Sequence, residues 1–284
     1  MENIKIIHFD VKNGLNDKQI IADARLIPNG QGKPLVLFVH GFKGFKDWGF
    51  WDIVANMFAE AGFIFIKINL SHNGTTKDHP LDFDDLEAFG NNNFTMELAD
   101  INKTLEFLAG KSSPLAAYAP DTHNINIIGH SRGGAVTAIA ARENPLIRKL
   151  VLWAAVHNLE KMIPSAALTP WKETGVHYIF NSRTGQQMPL YYQLAEDYYK
   201  NSERFSVEQA LKSLSVPCLI VHGTADETLP VDTAREMHRW KPDSKLKIIE
   251  GAGHTFGGTH PWNGNGLPQE AKQLVEVTLD FLLG

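Results

Sequence analysis

A serine set between glycines, with an aspartate and a histidine arriving later in the chain, supplies a hydroxyl nucleophile, a base and an orienter for that base. Here the serine is Ser131, in Gly129-His130-Ser131-Arg132-Gly133, which fits G-x-S-x-G. It follows the apolar run INII and precedes GAVTAIAARE, so a strand is expected to feed a helix through a sharp turn. Such a turn lifts Oγ off the end of a sheet, and the helix N-terminus turns its N–H groups and partial positive charge toward any oxyanion formed there. The competing use is a serine that only caps the helix. Asp226 in LIVHGTADETLP and His254 in LKIIEGAGHTF each lie just past an apolar run. Glu227 and Asp232 compete with Asp226, and among 12 histidines one near any feature means little by itself. What joins the three is their order, Ser131, Asp226, His254, on successive strand ends. Ser131 would attack a carbonyl. His254 would take its proton and return it to the leaving group, and Asp226 would fix the tautomer and stabilise the imidazolium. Activity is therefore expected to rise with pH as His254 loses its proton.

An oxyanion needs two N–H donors. One is the backbone N–H of Arg132. The other is expected from HGFKGFKDW, after the run PLVLFVH, as the N–H of Phe42. His40 reads as a structural hydrogen-bonding residue, and the side chains of His130 and Arg132 as elbow neighbours that pack and meet solvent.

Eight extended runs must carry these residues. The first two, residues 4–10 and 19–27, flank NGLND and read as an antiparallel hairpin. From PLVLFVH onward the runs are almost continuously apolar, as in strands covered on both faces of a parallel sheet. Helical patterns over 50–61, 94–108, 133–143, 232–240 and 268–283 alternate with them, which gives an α/β class with helices on both sides of a mostly parallel twisted sheet. Residues 157–215 separate two strands that a short crossover would join. They read as an inserted cap or lid dividing a core of 1–156 and 216–284. Inside it, HYIFNSRTGQQMPL suggests a hairpin turning at Thr184 and Gly185, and PLYYQLAEDYYK a helix. The cap is rich in aromatics, among which Tyr178, Tyr191 and Tyr192 are the expected substrate contacts.

Composition narrows the partners. A formal charge of -5 without a basic run argues against nucleic acid or an anionic membrane surface, which leaves small molecules. Cys218 is the sole cysteine and falls in an apolar strand, so it reads as a small buried hydrophobe. No h-region or spanning segment is seen, and the expected compartment is the cytoplasm. A homodimer is left open. His72 with His79, and His254 with His260, lack metal-ligand spacing, and no glycine-rich nucleotide loop opens a helix, so neither metal nor cofactor is expected. The acidic stretch DHPLDFDDLEAFG reads as a solvated face.

Taken in order, HGFKG, GHSRGG, HGTADETLP and GAGHTF make the sequence resemble the α/β-hydrolase superfamily along nearly its whole length. The long loop after the first core strand, the insertion with its hairpin, and the tail GHTFGGTHPW look like the dienelactone-hydrolase-like and cinnamoyl (feruloyl) esterase-like branch. Many such esterases carry D-x-x-G-H-G-x-S where this chain has NLSHNGTT, with Asn69 at the first position. The resemblance implies a cofactor-free serine hydrolase acting on carboxylic esters, of aromatic hydroxycinnamoyl type or with short acyl groups. Relatives with an aspartate at the elbow are excluded by Ser131. A serine peptidase or thioesterase would use the same triad, and a catalytically silent ligand-binding hydrolase fold is the non-enzymatic alternative.

Overall fold

Short, nearly continuous apolar runs form most of the sheet that carries the site. In the computed structural model, which describes residues 3–12, 18–30 and 32–284, β1 (Lys5–Lys12) and β2 (Gln19–Leu26) pair antiparallel, as their sequence suggests. The turn NGLND between them lies outside the described residues. Then follow β3 (Lys33–Val39), β4 (Ile64–Asn69), β5 (Pro120–His130), β6 (Ile147–Trp153), β9 (Cys218–Gly223) and β10 (Lys245–Ile249). They join β1 and β2 in one eight-stranded sheet of order β1-β2-β4-β3-β5-β6-β9-β10. From β4 onward every pairing is parallel, and β2 alone runs against its neighbours.

Alternation along each central strand feeds two cores. Leu35, Leu37 and Val39 of β3 face one side, and Val36 and Phe38 the other. On the first side the strands are covered by α3 (Phe94–Ala109), α4 (Arg132–Glu143) and α8 (Asp232–Trp240), and on the second by α1 (Trp51–Glu60) and α9 (Gln269–Leu283). This is why the core runs are apolar throughout rather than alternating. Cys218 is buried in β9, where burial pushes its thiol up to about 12. Among the described residues no helix is long and apolar enough to cross a membrane.

A charged residue interrupts the apolar pattern of β4. Lys67 is fully buried and bonds to Asp47 at 2.5 Å and to Asp52, with Asp23 of β2 at 3.6 Å. Lys46 bonds both Asp23 and Asp47 at 2.5 Å, and its N–H donates to Asn69 Oδ1 at 2.6 Å. The loop after β3 is thereby tied to β2 and β4 from beneath, with cations and carboxylates paired as buried charges must be.

Residues 157–215 hold α5 (Leu168–Thr174), the antiparallel pair β7 (Val176–Asn181) and β8 (Gln186–Tyr191), α6 (Gln193–Lys200) and α7 (Val207–Lys212). The β7–β8 turn falls where expected, with Gly185 at φ 71° and its N–H on Asn181 O at 2.8 Å. The expected helix from Pro189 does not form there. Pro189, Leu190 and Tyr191 continue β8 opposite β7, Trp171 Nε1–H donates to Leu190 O at 2.7 Å, and the helix starts only at Gln193. Tertiary pairing overrides the local helical pattern. Between β4 and α3 lies a short helix without strong periodicity, α2 (Leu86–Gly90), capped by Asp85.

Candidate active site

Ser131 sits between β5 and α4 at φ 54°, ψ −121°, a conformation that costs a non-glycine residue about 1–3 kcal/mol and persists only where neighbours fix it. They do so through its backbone. Ser131 N–H donates to Trp153 O (2.9 Å), and Ser131 O accepts from Gly134 N–H and Val156 N–H (both 3.0 Å). The glycines are steric requirements. A Cβ on Gly133 would lie 2.3 Å from His40 O, and one on Gly129 would lie 2.5 Å from Gly133 O. Ser131 makes no side-chain cap bond, which sets aside the capping use considered from sequence.

The later loops bring the other two residues to it. Asp226 follows β9 and His254 follows β10, and their loops meet where Ala225 N–H donates to Ala252 O at 3.0 Å. Gly223 permits that approach, since a Cβ there would stand 2.0 Å from Ala252 O. His254 Nε2 is 2.9 Å from Ser131 Oγ, and His254 Nδ1 is 2.9 Å from Asp226 Oδ2. Asp226 Oδ1 also accepts from the N–H groups of Thr228 (2.9 Å) and Leu229 (2.8 Å). Burial opposes ionisation of Asp226, but bonds from His222, His254 and Leu229 outweigh it and hold the carboxyl well below the usual carboxylate range. The rivals lie elsewhere: Asp232 is exposed and bonds Arg235, and Glu227 is exposed.

His222 is a contact that the sequence reading passed over. Its side chain is fully buried, with Nε2 3.1 Å from Asp226 Oδ2 and 3.0 Å from Leu229 O, so one N–H bridges the carboxylate and the loop carbonyl. The available signal was a histidine ending a strand four residues before the aspartate. His222→Phe is expected to lower kcat/KM by about ten- to a hundredfold through misplacement of His254. The bond from His222 is the largest influence lowering the Asp226 pKa, so it also keeps that carboxylate ionised; His222→Gln, which keeps an N–H donor, should restore much of the lost activity. Steady-state kinetics of the two variants, with rescue by His222→Gln as the deciding readout, check this.

Two more imidazoles pack beside Ser131 and His254. His130 Nε2–H donates to His254 O at 2.9 Å. His40 Nδ1–H donates to Gly41 O at 2.9 Å while its Nε2 accepts from Leu70 N–H at 3.4 Å, the structural role expected of it. Burial lowers His40 from 6.5 to about 4, the Gly41 bond opposing and the Arg132 charge adding to the shift. Burial and then the neighbouring His254 lower His130 to about 3. Between these values and 6.5 the unfolded chain binds protons that the folded one refuses. Stability should thus fall as pH drops from 6.5 toward 4, with a slope of up to about 2.7 kcal/mol per unit for two protons. Urea midpoints at about pH 7, 6 and 5 check the sign, and a flat series contradicts it.

Arg132 opens α4, so its N–H has no acceptor within the helix. Its side chain is buried rather than solvent-exposed, correcting the sequence expectation. It pairs with Glu97 of α3, which is also buried, and its guanidinium lies 4.4 Å from the centre of the Phe42 ring. Phe42 stands in a tight turn closed by Gly44 N–H on Gly41 O at 3.0 Å, and a Cβ on Gly41 would come within 2.8 Å of Ser131 Cβ. The loop thus lies directly against the serine. A cavity of about 240 Å³ opens there, lined by Phe42, Trp48, Trp51, Ser131 and His254 from the core and by Asn181 and Arg183 from the β7–β8 hairpin.

The family model for the alpha/beta hydrolase family matches residues 36–261. The chain belongs to that family. Among solved structures, this hydrolase resembles the ferulic-acid complex of Est1E from Butyrivibrio proteoclasticus (TM-score 0.69, 20% identity, 97% of this chain and 98% of the other). It also resembles dienelactone hydrolase from Anabaena variabilis (TM-score 0.62, 15% identity, 99% and 97%). By sequence it is 23% identical over 263 residues to non-heme chloroperoxidase CPO-A1 of Kitasatospora aureofaciens, covering 79% of this chain and 86% of that one.

The three tyrosines expected to touch substrate do not line this hydrolase's cavity. Tyr178 is 56% exposed. Tyr191 lies over Gly90, where a Cβ would meet its ring at 2.9 Å, and its hydroxyl donates to Glu87 at 2.5 Å. Tyr192 packs edge-on against the buried Trp171. The hairpin reaches the cavity with its turn rather than with its aromatic strands.

Proposed function

We propose that this alpha/beta hydrolase is a serine-dependent carboxylic-ester hydrolase working through an acyl-enzyme, with Ser131, His254 and Asp226 as its triad and residues 157–215 as its cap. The observation that carries the reading is the unbroken hydrogen-bond chain from Asp226 through His254 to Ser131, both links 2.9 Å, ending at a cavity. Ser131 Oγ attacks the ester carbonyl carbon while His254 Nε2 takes its proton, and the ionised Asp226 stabilises the imidazolium. The N–H groups of Phe42 and Arg132 receive the developing oxyanion, aided by the positive end of α4. The tetrahedral adduct collapses, the C–O bond to the alcohol breaks, and His254 hands the alcohol its proton. Water then attacks the acyl-enzyme with His254 again as base, releasing the acid and restoring Ser131. No step draws on a metal or cofactor.

Phe42, Trp48 and Trp51 give the cavity aromatic walls, and its volume suits a small group, which supports short or aromatic acyl esters of hydroxycinnamoyl type. The test is a panel of activated esters with short, long and hydroxycinnamoyl acyl groups, together with a thioester and an anilide, run on wild type and Ser131→Ala. Turnover of one ester class by wild type and by no means by the variant supports the reading. Preference for the thioester or anilide would move it to thioesterase or peptidase, and turnover surviving in Ser131→Ala would sink it.

A further inference from the structure

The cavity is lined by two cations that the ester chemistry does not use. Arg183, in the β7–β8 turn, and Lys43, in the turn after β3, both line it with Ser131, whereas among the described residues no Asp or Glu does. Among the described residues neither cation has a carboxylate within 4.0 Å. Asp82 is near enough to act on the charge of Arg183 but forms no ion pair with it. The Arg183 guanidinium is held instead by two buried rings, with its centre 5.4 Å from that of Phe45 and 5.5 Å from that of Phe83, which leaves its N–H donors to other partners. Lys43 is fixed in a left-handed backbone conformation at φ 55°, the kind of outlier that accumulates at ligand sites. In a chain of formal charge -5, a cavity lined by two cations and, among the described residues, by no carboxylate runs against the average.

We propose that Arg183 and Lys43 form an anion subsite, and that the preferred substrate is an ester bearing a carboxylate at the end remote from the scissile bond. This inference rests on the ester-hydrolase reading. A guanidinium presents paired N–H groups to a carboxylate, and Lys43, which lines the same cavity, adds a point charge. Phe42, Trp48 and Trp51 line the same cavity and offer apolar surface to the stretch that joins the anion to the reacting carbonyl.

The experiment compares matched esters that differ in one carboxylate. On the acyl side the pair is 4-nitrophenyl hexanoate and mono-4-nitrophenyl adipate; on the alcohol side it is phenyl butyrate and 4-carboxyphenyl butyrate. For at least one pair, wild type should favour the anionic member about tenfold in kcat/KM, a preference that shrinks with added salt. Arg183→Gln should bring that ratio toward one, Arg183→Glu should invert it, and Lys43→Gln should lower it severalfold. No preference in either pair, or a ratio that survives both Arg183→Glu and Lys43→Gln, overturns the subsite. If neutral esters are cleaved and Ser131 is labelled by a fluorophosphonate without anionic preference, only the subsite falls. If no ester is cleaved and Ser131 is not labelled, the ester-hydrolase reading falls and takes the subsite with it.

Discussion

His254→Ala is expected to lower kcat/KM for an activated ester by about 10⁴- to 10⁶-fold, with little change in KM and in the circular dichroism spectrum. His254 Nε2 is 2.9 Å from the Ser131 hydroxyl, and a serine hydroxyl without its base is a poor nucleophile at neutral pH. The loss should be nearly as large as for Ser131→Ala, and the double variant should lose little more, because the two residues act as a unit. The backbone at residue 254 keeps its contact in the variant, since His130 bonds the carbonyl rather than the ring. A loss of only tenfold would assign the base to another residue.

The second large effect concerns folding. Gly133→Ala would put a methyl group 2.3 Å from His40 O and 2.6 Å from Val39 O, both backbone atoms where β3 ends beside the elbow. In an open helix the same change would stabilise by about 1 kcal/mol. Here the overlap wins, because β3 sits in the middle of the sheet and α4 cannot retreat without moving Ser131. A net destabilisation of about 2–3 kcal/mol is expected, read as a fall in the urea midpoint, with activity lost in the fraction that folds. Gly266→Ala, where nothing lies within 4 Å of the added methyl, should stay within about 0.5 kcal/mol and serves as the control.

These two expectations stand on residues of different legibility. The elbow glycines, Ser131, Asp226 and His254 each punctuate the end of an apolar run, so chain order alone brings them to one edge of a parallel sheet. The central strands were legible for the same reason. What escaped depends on packing between segments far apart in sequence. His222 looks like any polar residue at a strand end until the fold turns it toward Asp226. Lys67 interrupts an apolar strand with no local hint of Asp23, Asp47 and Asp52 around it. Arg132 gives no local sign of burial, because its partner, Glu97, comes from another helix. Within residues 157–215, local pattern misleads twice. Leu190 and Tyr191 pair with β7 instead of starting a helix, and the cavity receives the polar turn of the hairpin while the tyrosines pack or face outward.

The most direct measurement is the mass of the protein after brief treatment with a fluorophosphonate, followed by mapping of the modified peptide. Wild type should gain one adduct, on the peptide that contains Ser131, in parallel with loss of ester hydrolysis. His254→Ala should gain it far more slowly and Ser131→Ala not at all. An adduct on another residue that tracks the loss of activity, or ester hydrolysis that continues after Ser131 is fully modified, would contradict the assignment of Ser131 as the nucleophile.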